Sequence, residues 1–258
     1  MGSGYKSIPL SFNRKAVIAS ATVTKGKNTI HSLTEIDITV PRALIKKHYD
    51  KTGEKLSFTA YILTCLADVI KDFPNFNSFI RGRKLVLLDD ITISVLIERD
   101  IAGENVPEPV GIKNAQHKTH LQIHNEIREA KMHRSGKLGS LAGNRWFTLI
   151  PGFLLKLFIS MADRNIRMGI RYGKIAVTAV GMFSKIPVWF IPHGSATVLV
   201  TIGSISKKVV EADDHFETRE HLCLTVSFDH DIIDGAPASR FMNRFAETIK
   251  SGQLVHSA

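Results

Sequence analysis

The sequence predicts an α/β fold in which a mixed β-sheet is covered by helices. Three observations carry that reading. β-branched runs of strand length recur at Ile91–Ile97 (ITISVLI), Lys174–Val180 (KIAVTAV), Ala196–Ile205 (ATVLVTIGSI) and Leu222–Phe228 (LCLTVSF). Stretches with helical periodicity stand between them. Their order is irregular, with few clean strand–helix–strand crossovers, which points to a mixed sheet. No linker, repeat or low-complexity stretch divides the 258 residues, so a single domain with a large core is expected.

Taken in order, His31–Val40 (HSLTEIDITV) alternates polar and β-branched residues as a half-buried strand does. Pro41 suits the first turn of a helix running to about Lys51. Ser57 is placed to cap a second helix, FTAYILTCLADVIKDF, which Pro74 stops. Gln116–Arg134 reads as a helix, and an added helical segment is expected over about 141–172. From Pro237 a last helix puts Phe241, Met242, Phe245 and Ile249 on one stripe and ends at Gly252.

The 34 Lys and Arg against 24 Asp and Glu give a net charge of +10, which favours anionic partners. Aromatic residues are not interleaved with the cations as on a base-stacking surface, so nucleic acid rests on charge alone. Cys65 and Cys223 lie in apolar runs and read as buried small hydrophobes, neither a disulfide nor a metal pair. That usage, and an opening MGSGYKSIPL without the basic end and apolar run of a signal peptide, predict a cytoplasmic protein. The most apolar stretch, Trp146–Ala162, is broken by Pro151–Gly152 and carries Lys156, short of the ~20 apolar residues of a membrane span.

Two clusters bear on chemistry. His117, His120 and His124 recur at helical spacing, followed by Glu126 and His133, in a polar string that reads as an exposed face. No second ligand set accompanies them, so no metal site is predicted. The sharper signal is Ser227-Phe228-Asp229-His230-Asp231-Ile232-Ile233-Asp234-Gly235, a strand that ends at a histidine just before an Asp-Gly turn and a helix. A neutral imidazole held there can take a proton from a thiol or hydroxyl near neutral pH.

SFDHDIIDGAPASRF resembles the active-site segment of the dihydrolipoamide acyltransferases of 2-oxo-acid dehydrogenase complexes and, more distantly, that of chloramphenicol acetyltransferases. KLSFTAYILTCLADVIKDFPNFNSFI, with Phe73, Pro74 and Asn77, resembles the family's early helix. ITISVLIERDIAGENVPEPVGIKNA and the pair KIAVTAVGMF and TVLVTIGSISKKVV resemble its later strands, in family order over most of residues 14–250.

The resemblance implies the coenzyme A-dependent, chloramphenicol acetyltransferase-like fold. It also implies transfer of a short acyl group between coenzyme A and a thiol acceptor such as dihydrolipoamide. His230 then falls on the general base and Thr178, three residues before Gly181, on the hydroxyl that stabilises the oxyanion. Asp234 falls on the residue that holds the catalytic loop, Arg14 on its ion-pair partner, and Gly235 on a turn that a side chain would obstruct. A homotrimer is implied, with His230 and Thr178 of one site on adjacent subunits.

Three departures qualify the match. Asp231 stands where the family has Arg, the loop at Ile191–Gly194 reads IPHG in place of Asn and Pro, and the 141–172 segment replaces a short connection. Packing on the core or at a subunit contact is the leading reading of that segment, with an interfacial membrane patch behind it. No lipoyl domain or Ala/Pro linker is visible, so the acceptor arm is expected in trans or the acceptor differs. The alternatives left open are an acyltransferase acting on a small hydroxyl or amine compound, and a non-catalytic trimeric scaffold. The Lys or Arg residues that would meet coenzyme A phosphates are not assignable from sequence.

Overall fold

The computed structural model describes residues 4–101, 104–132, 151–181, 184, 186–212 and 215–255. Helix α1 (Phe12–Thr24) leads into strand β1 (Thr29–Asp37), followed by α2 (Thr39–Thr52) and α3 (Phe58–Ile70). Next come a short hairpin, β2 (Ser78–Arg81) and β3 (Lys84–Leu87), then β4 (Ile93–Ile101), β5 (Glu104–Ile112) and α4 (His120–Met132). Helices α5 (Gly152–Asp163) and α6 (Ile166–Tyr172) precede β6 (Ile175–Ala179), the long pair β7 (Val198–Ala212) and β8 (His215–Asp229), and the final helix α7 (Gly235–Ser251).

Six strands form one mixed sheet in the order β1-β8-β7-β6-β4-β5. β6 runs parallel to both β7 and β4, while the pairs β1–β8, β7–β8 and β4–β5 are antiparallel. The α/β class with a mixed sheet is therefore as the sequence predicts. β5 carries Pro107 and Pro109 yet holds its register with β4, because it is an edge strand whose missing N–H groups cost no ladder bond.

Ser57 caps α3 as expected, its hydroxyl accepting the Ala60 N–H at 3.0 Å. α3 is the central core helix, and from Ala60 to Ile70 it is buried at every position except Asp68. The stripe on α7 closes over Phe228, which meets Phe76 and Phe241 edge-on at centroid distances of 5.9 and 5.6 Å. Each such pair adds about 0.5–1.5 kcal/mol beyond area burial, and this aromatic cluster fixes the end of β8 two residues before His230. Cys65 and Cys223 are both buried and unpaired.

The added segment forms α5 and α6 over its described part; its first ten residues, 141–150, lie outside the described residues, as does His133. α5 lies mainly along α1, and none of its residues is buried. Among the described residues no helix is long and apolar enough to cross a membrane.

The histidine string differs from its sequence reading. His120 is 1% exposed, and its Nε2 lies 3.0 Å from the Ser57 carbonyl oxygen, while His124 Nδ1 accepts the Ser57 N–H at 3.1 Å. The two imidazoles clamp the start of α3, and His117 lies in the turn before α4. The polar neighbours in sequence conceal this, because only the side of α4 that meets α3 is covered.

Candidate active site

His230 leaves the end of β8 in a turn held from several sides. Its N–H donates to the Asn28 carbonyl at 2.7 Å, tying it to the residue before β1. The N–H groups of Ile232 and Ile233 both donate to the Asp229 carbonyl, and buried Ile233 anchors the far side of the turn. Lys27 braces the near side, pairing with the Asp229 carboxylate at 3.0 Å and donating to the Ser195 carbonyl at 2.7 Å. The imidazole itself remains partly open, with its Nδ1 3.8 Å from an Asp234 carboxylate oxygen.

Asp234 occupies the N-cap position of α7 but makes no side-chain capping bond. It is thereby left beside His230, 3.8 Å from the imidazole. Arg14 is exposed on α1, and no ion pair joins it to Asp234.

Asp231, the charge that departs from the family pattern, is turned elsewhere: its carboxylate accepts the Asn28 side-chain amide at 2.8 Å. Gly235 differs from expectation. Its φ is not positive, and a Cβ built on it would meet nothing within 4 Å, so the turn does not require glycine there. The glycine instead borders a cavity of about 400 Å³ between β1 and α7.

Thr178 sits on β6 in register with Thr201 of β7, which in turn faces Thr225 of β8. It is half-buried and opens into a cleft of about 700 Å³ whose other walls include Ser57, Val95, Ile97, His124, Arg128 and Lys131. Burial, with Arg128 adding to it, pushes the His124 pKa down, so the cleft carries its fixed positive charge on Arg128 and Lys131. Sequence reasoning missed these cations because they belong to α4, some fifty residues from Thr178, and only the fold brings them together.

Gly181 holds Thr178 in place from behind. A Cβ on Gly181 would lie 1.6 Å from the Gly203 carbonyl oxygen, so the chain leaving β6 rests directly on the β7 backbone. The β7–β8 ladder breaks register at that point, between Ile202 and Ile205.

The structure does not bring Thr178 to His230 within one chain. Thr178 is two strands from Thr225, roughly 10 Å across the sheet, and His230 lies five residues further along β8, about 17 Å. The separation is on the order of 20 Å.

The family model for 2-oxoacid dehydrogenases acyltransferase (catalytic domain) matches residues 2–142 and 168–256. The chain belongs to that family. The lipoamide acyltransferase component of the branched-chain alpha-keto acid dehydrogenase complex of Bacillus subtilis is 29% identical over 258 residues, covering 96% of this chain and 53% of that protein. The chain thus spans about half the length of that acyltransferase.

A crystal structure of a probable dihydrolipoamide acetyltransferase from Listeria monocytogenes shares the fold with a TM-score of 0.73 at 23% identity, covering 100% of this chain and 99% of that one. A structure of Azotobacter vinelandii dihydrolipoamide acetyltransferase superposes with a TM-score of 0.72 at 18% identity over 96% of this chain and 92% of that one. That work concerned the role of a serine, a histidine and an asparagine in its catalytic mechanism. The family model passes over residues 143–167, so α5 is an addition to the acyltransferase domain.

Proposed function

We propose that this acyltransferase-family chain moves a short acyl group between coenzyme A and the thiol of a dihydrolipoyl group. The site would be assembled between neighbouring subunits of a homotrimer, with the lipoyl group supplied by another chain or domain. One observation carries the reading. The serine, histidine and asparagine studied in the Azotobacter enzyme are spaced fifty-two and four residues apart, and Thr178, His230 and Asp234 keep both intervals. A pair so matched and yet on the order of 20 Å apart in one chain acts as a unit only if another copy supplies its complement.

The chemistry follows from the side chains. A thiol of pKa ~8.5 is mostly protonated at neutral pH, so attack on a thioester needs a base. With Asp234 beside Nδ1, His230 offers Nε2 to the thiol and takes its proton. The thiolate adds to the thioester carbonyl, and the neighbouring copy's Thr178 hydroxyl donates to the oxyanion. Collapse breaks the carbon–sulfur bond to the departing thiolate, which recovers the proton from His230. Arg128 and Lys131 supply positive charge along the Thr178 cleft for the phosphates of coenzyme A.

The test is subunit complementation. Release of coenzyme A thiol from short acyl-CoA compounds is followed with dihydrolipoamide and with small hydroxyl and amine acceptors. His230→Ala and Thr178→Val are each expected to be nearly inactive, and co-refolded mixtures of the two to regain activity, since some sites then hold both intact residues. Absence of recovery in mixtures that form mixed trimers overturns the shared site. Transfer confined to hydroxyl or amine acceptors overturns the dihydrolipoyl assignment, and wild-type rates in His230→Ala support a scaffold.

A further inference from the structure

α5 carries an apolar face that the other described residues leave uncovered. Phe153, Leu154, Leu157, Phe158 and Met161 are all exposed, Phe153 by 69%, Phe158 by 68% and Met161 by 65%. At 3.6 residues per turn they fall within one arc of about 140° that contains no polar side chain. The half-buried Leu155, Ile159 and Ala162 form the adjoining arc toward α1, so the exposed stripe is a second apolar face.

Charge identifies what fits it. Residues 4–25 and 152–172, which make up the N-terminal arm, α1, α5 and α6, hold eight Lys and Arg against one carboxylate, Asp163. Most of the chain's net charge of +10 is therefore gathered on this one pair of segments. Asp163 is itself occupied by Lys174 at 2.7 Å, and Lys156, Arg164, Arg167 and Arg171 are exposed.

A second copy is a poor occupant, because like faces of this charge repel when they meet. The family model also passes over residues 143–167, so α5 is not among the elements that define the family. A protein partner would ordinarily meet hydrogen-bonding groups in the contact, and the stripe offers none from its side chains. Aromatic and aliphatic side chains flanked by Lys and Arg on a helix lying flat are what an anionic lipid surface takes up.

We propose that α5, with α1 and α6, docks this protein onto an anionic phospholipid surface, inserting Phe153, Leu157 and Phe158 among the acyl chains. The test is sedimentation of the full chain with vesicles of equimolar phosphatidylglycerol and phosphatidylcholine, and with vesicles of phosphatidylcholine alone. Binding is expected on the anionic vesicles, weak on the neutral ones, and reversed by salt. The double variant F153S/F158S should lose binding by roughly tenfold or more, with oligomeric mass and melting temperature retained. R164E/R167E should lose the preference for anionic lipid. Phe158→Trp, which keeps the stripe apolar, should show a blue-shifted emission on binding, a readout independent of whether the serine variant folds. Equal sedimentation with and without vesicles, or binding unchanged by both double variants, overturns the proposal. So does a fall in oligomeric mass of F153S/F158S, which would make the stripe an interface between copies.

Discussion

At the scale of single residues, the environment of His230 fits a base that must be oriented and reachable at once. Its backbone is fixed by Asn28 and its turn by Ile233, while the ring stays open and Asp234 stands beside Nδ1. His230→Ala is expected to lower acyl transfer by roughly 10²–10⁴-fold, and Thr178→Val by about 10²–10³-fold. Both are to be read as kcat/KM with a short acyl-CoA and dihydrolipoamide, and KM for acyl-CoA should move little. The turn that carries His230 was legible because a strand ending in His-x-x-x-Asp-Gly is a contiguous signal. The consequence of Asp231 was not legible: adjacency in sequence set it beside the base, and the fold turns it to Asn28. Arg14 and Gly235 were assigned by resemblance alone. Their surroundings give neither an ion pair to Asp234 nor a backbone need for glycine.

Among the elements, strands and helices with strong periodicity stand where the sequence put them, and the differences have physical causes. β7 and β8 run to fifteen residues each, well beyond their predicted apolar runs. Their outer halves are an exposed ribbon of alternating character rather than a buried one. The β2–β3 hairpin is four residues a side, too short for a pattern to register. The expected strand to Val40 yields early, because α2 begins at Thr39. The contact between Gly181 and Gly203 is the element-scale device that positions Thr178. Because the clash in Gly181→Ala is with a carbonyl oxygen and not a movable side-chain tip, the substitution is expected to cost ~1–3 kcal/mol, measured by urea unfolding. It should also slow acyl transfer without touching His230.

For the whole molecule, pH acts through the clamp that joins α3 to α4. Burial pushes the pKa of both His120 and His124 below the ordinary histidine value of 6.5. The unfolded chain then binds more protons than the folded one as the pH falls through that value, so unfolding free energy rises with pH across the window and is lost on acidification. Melting temperatures taken above and below pH 6.5 should fall on the acid side, and His120→Gln should flatten the difference. A slope unchanged in that variant would remove His120 from the account. The distribution of charge is also a whole-molecule property. A net +10 is visible in composition, whereas its concentration on α1, α5 and α6 emerges only when residues 4–25 and 152–172 fold side by side.

The distance between β6 and the end of β8 has a last consequence, on the reading proposed above. A solitary chain, newly made or shed from its partners, would hold two halves of a catalyst too far apart to meet. It could neither spend thioester on water nor acylate a bystander. Chemistry would begin only once the ring closes, which makes assembly itself the safeguard on a reactive metabolite.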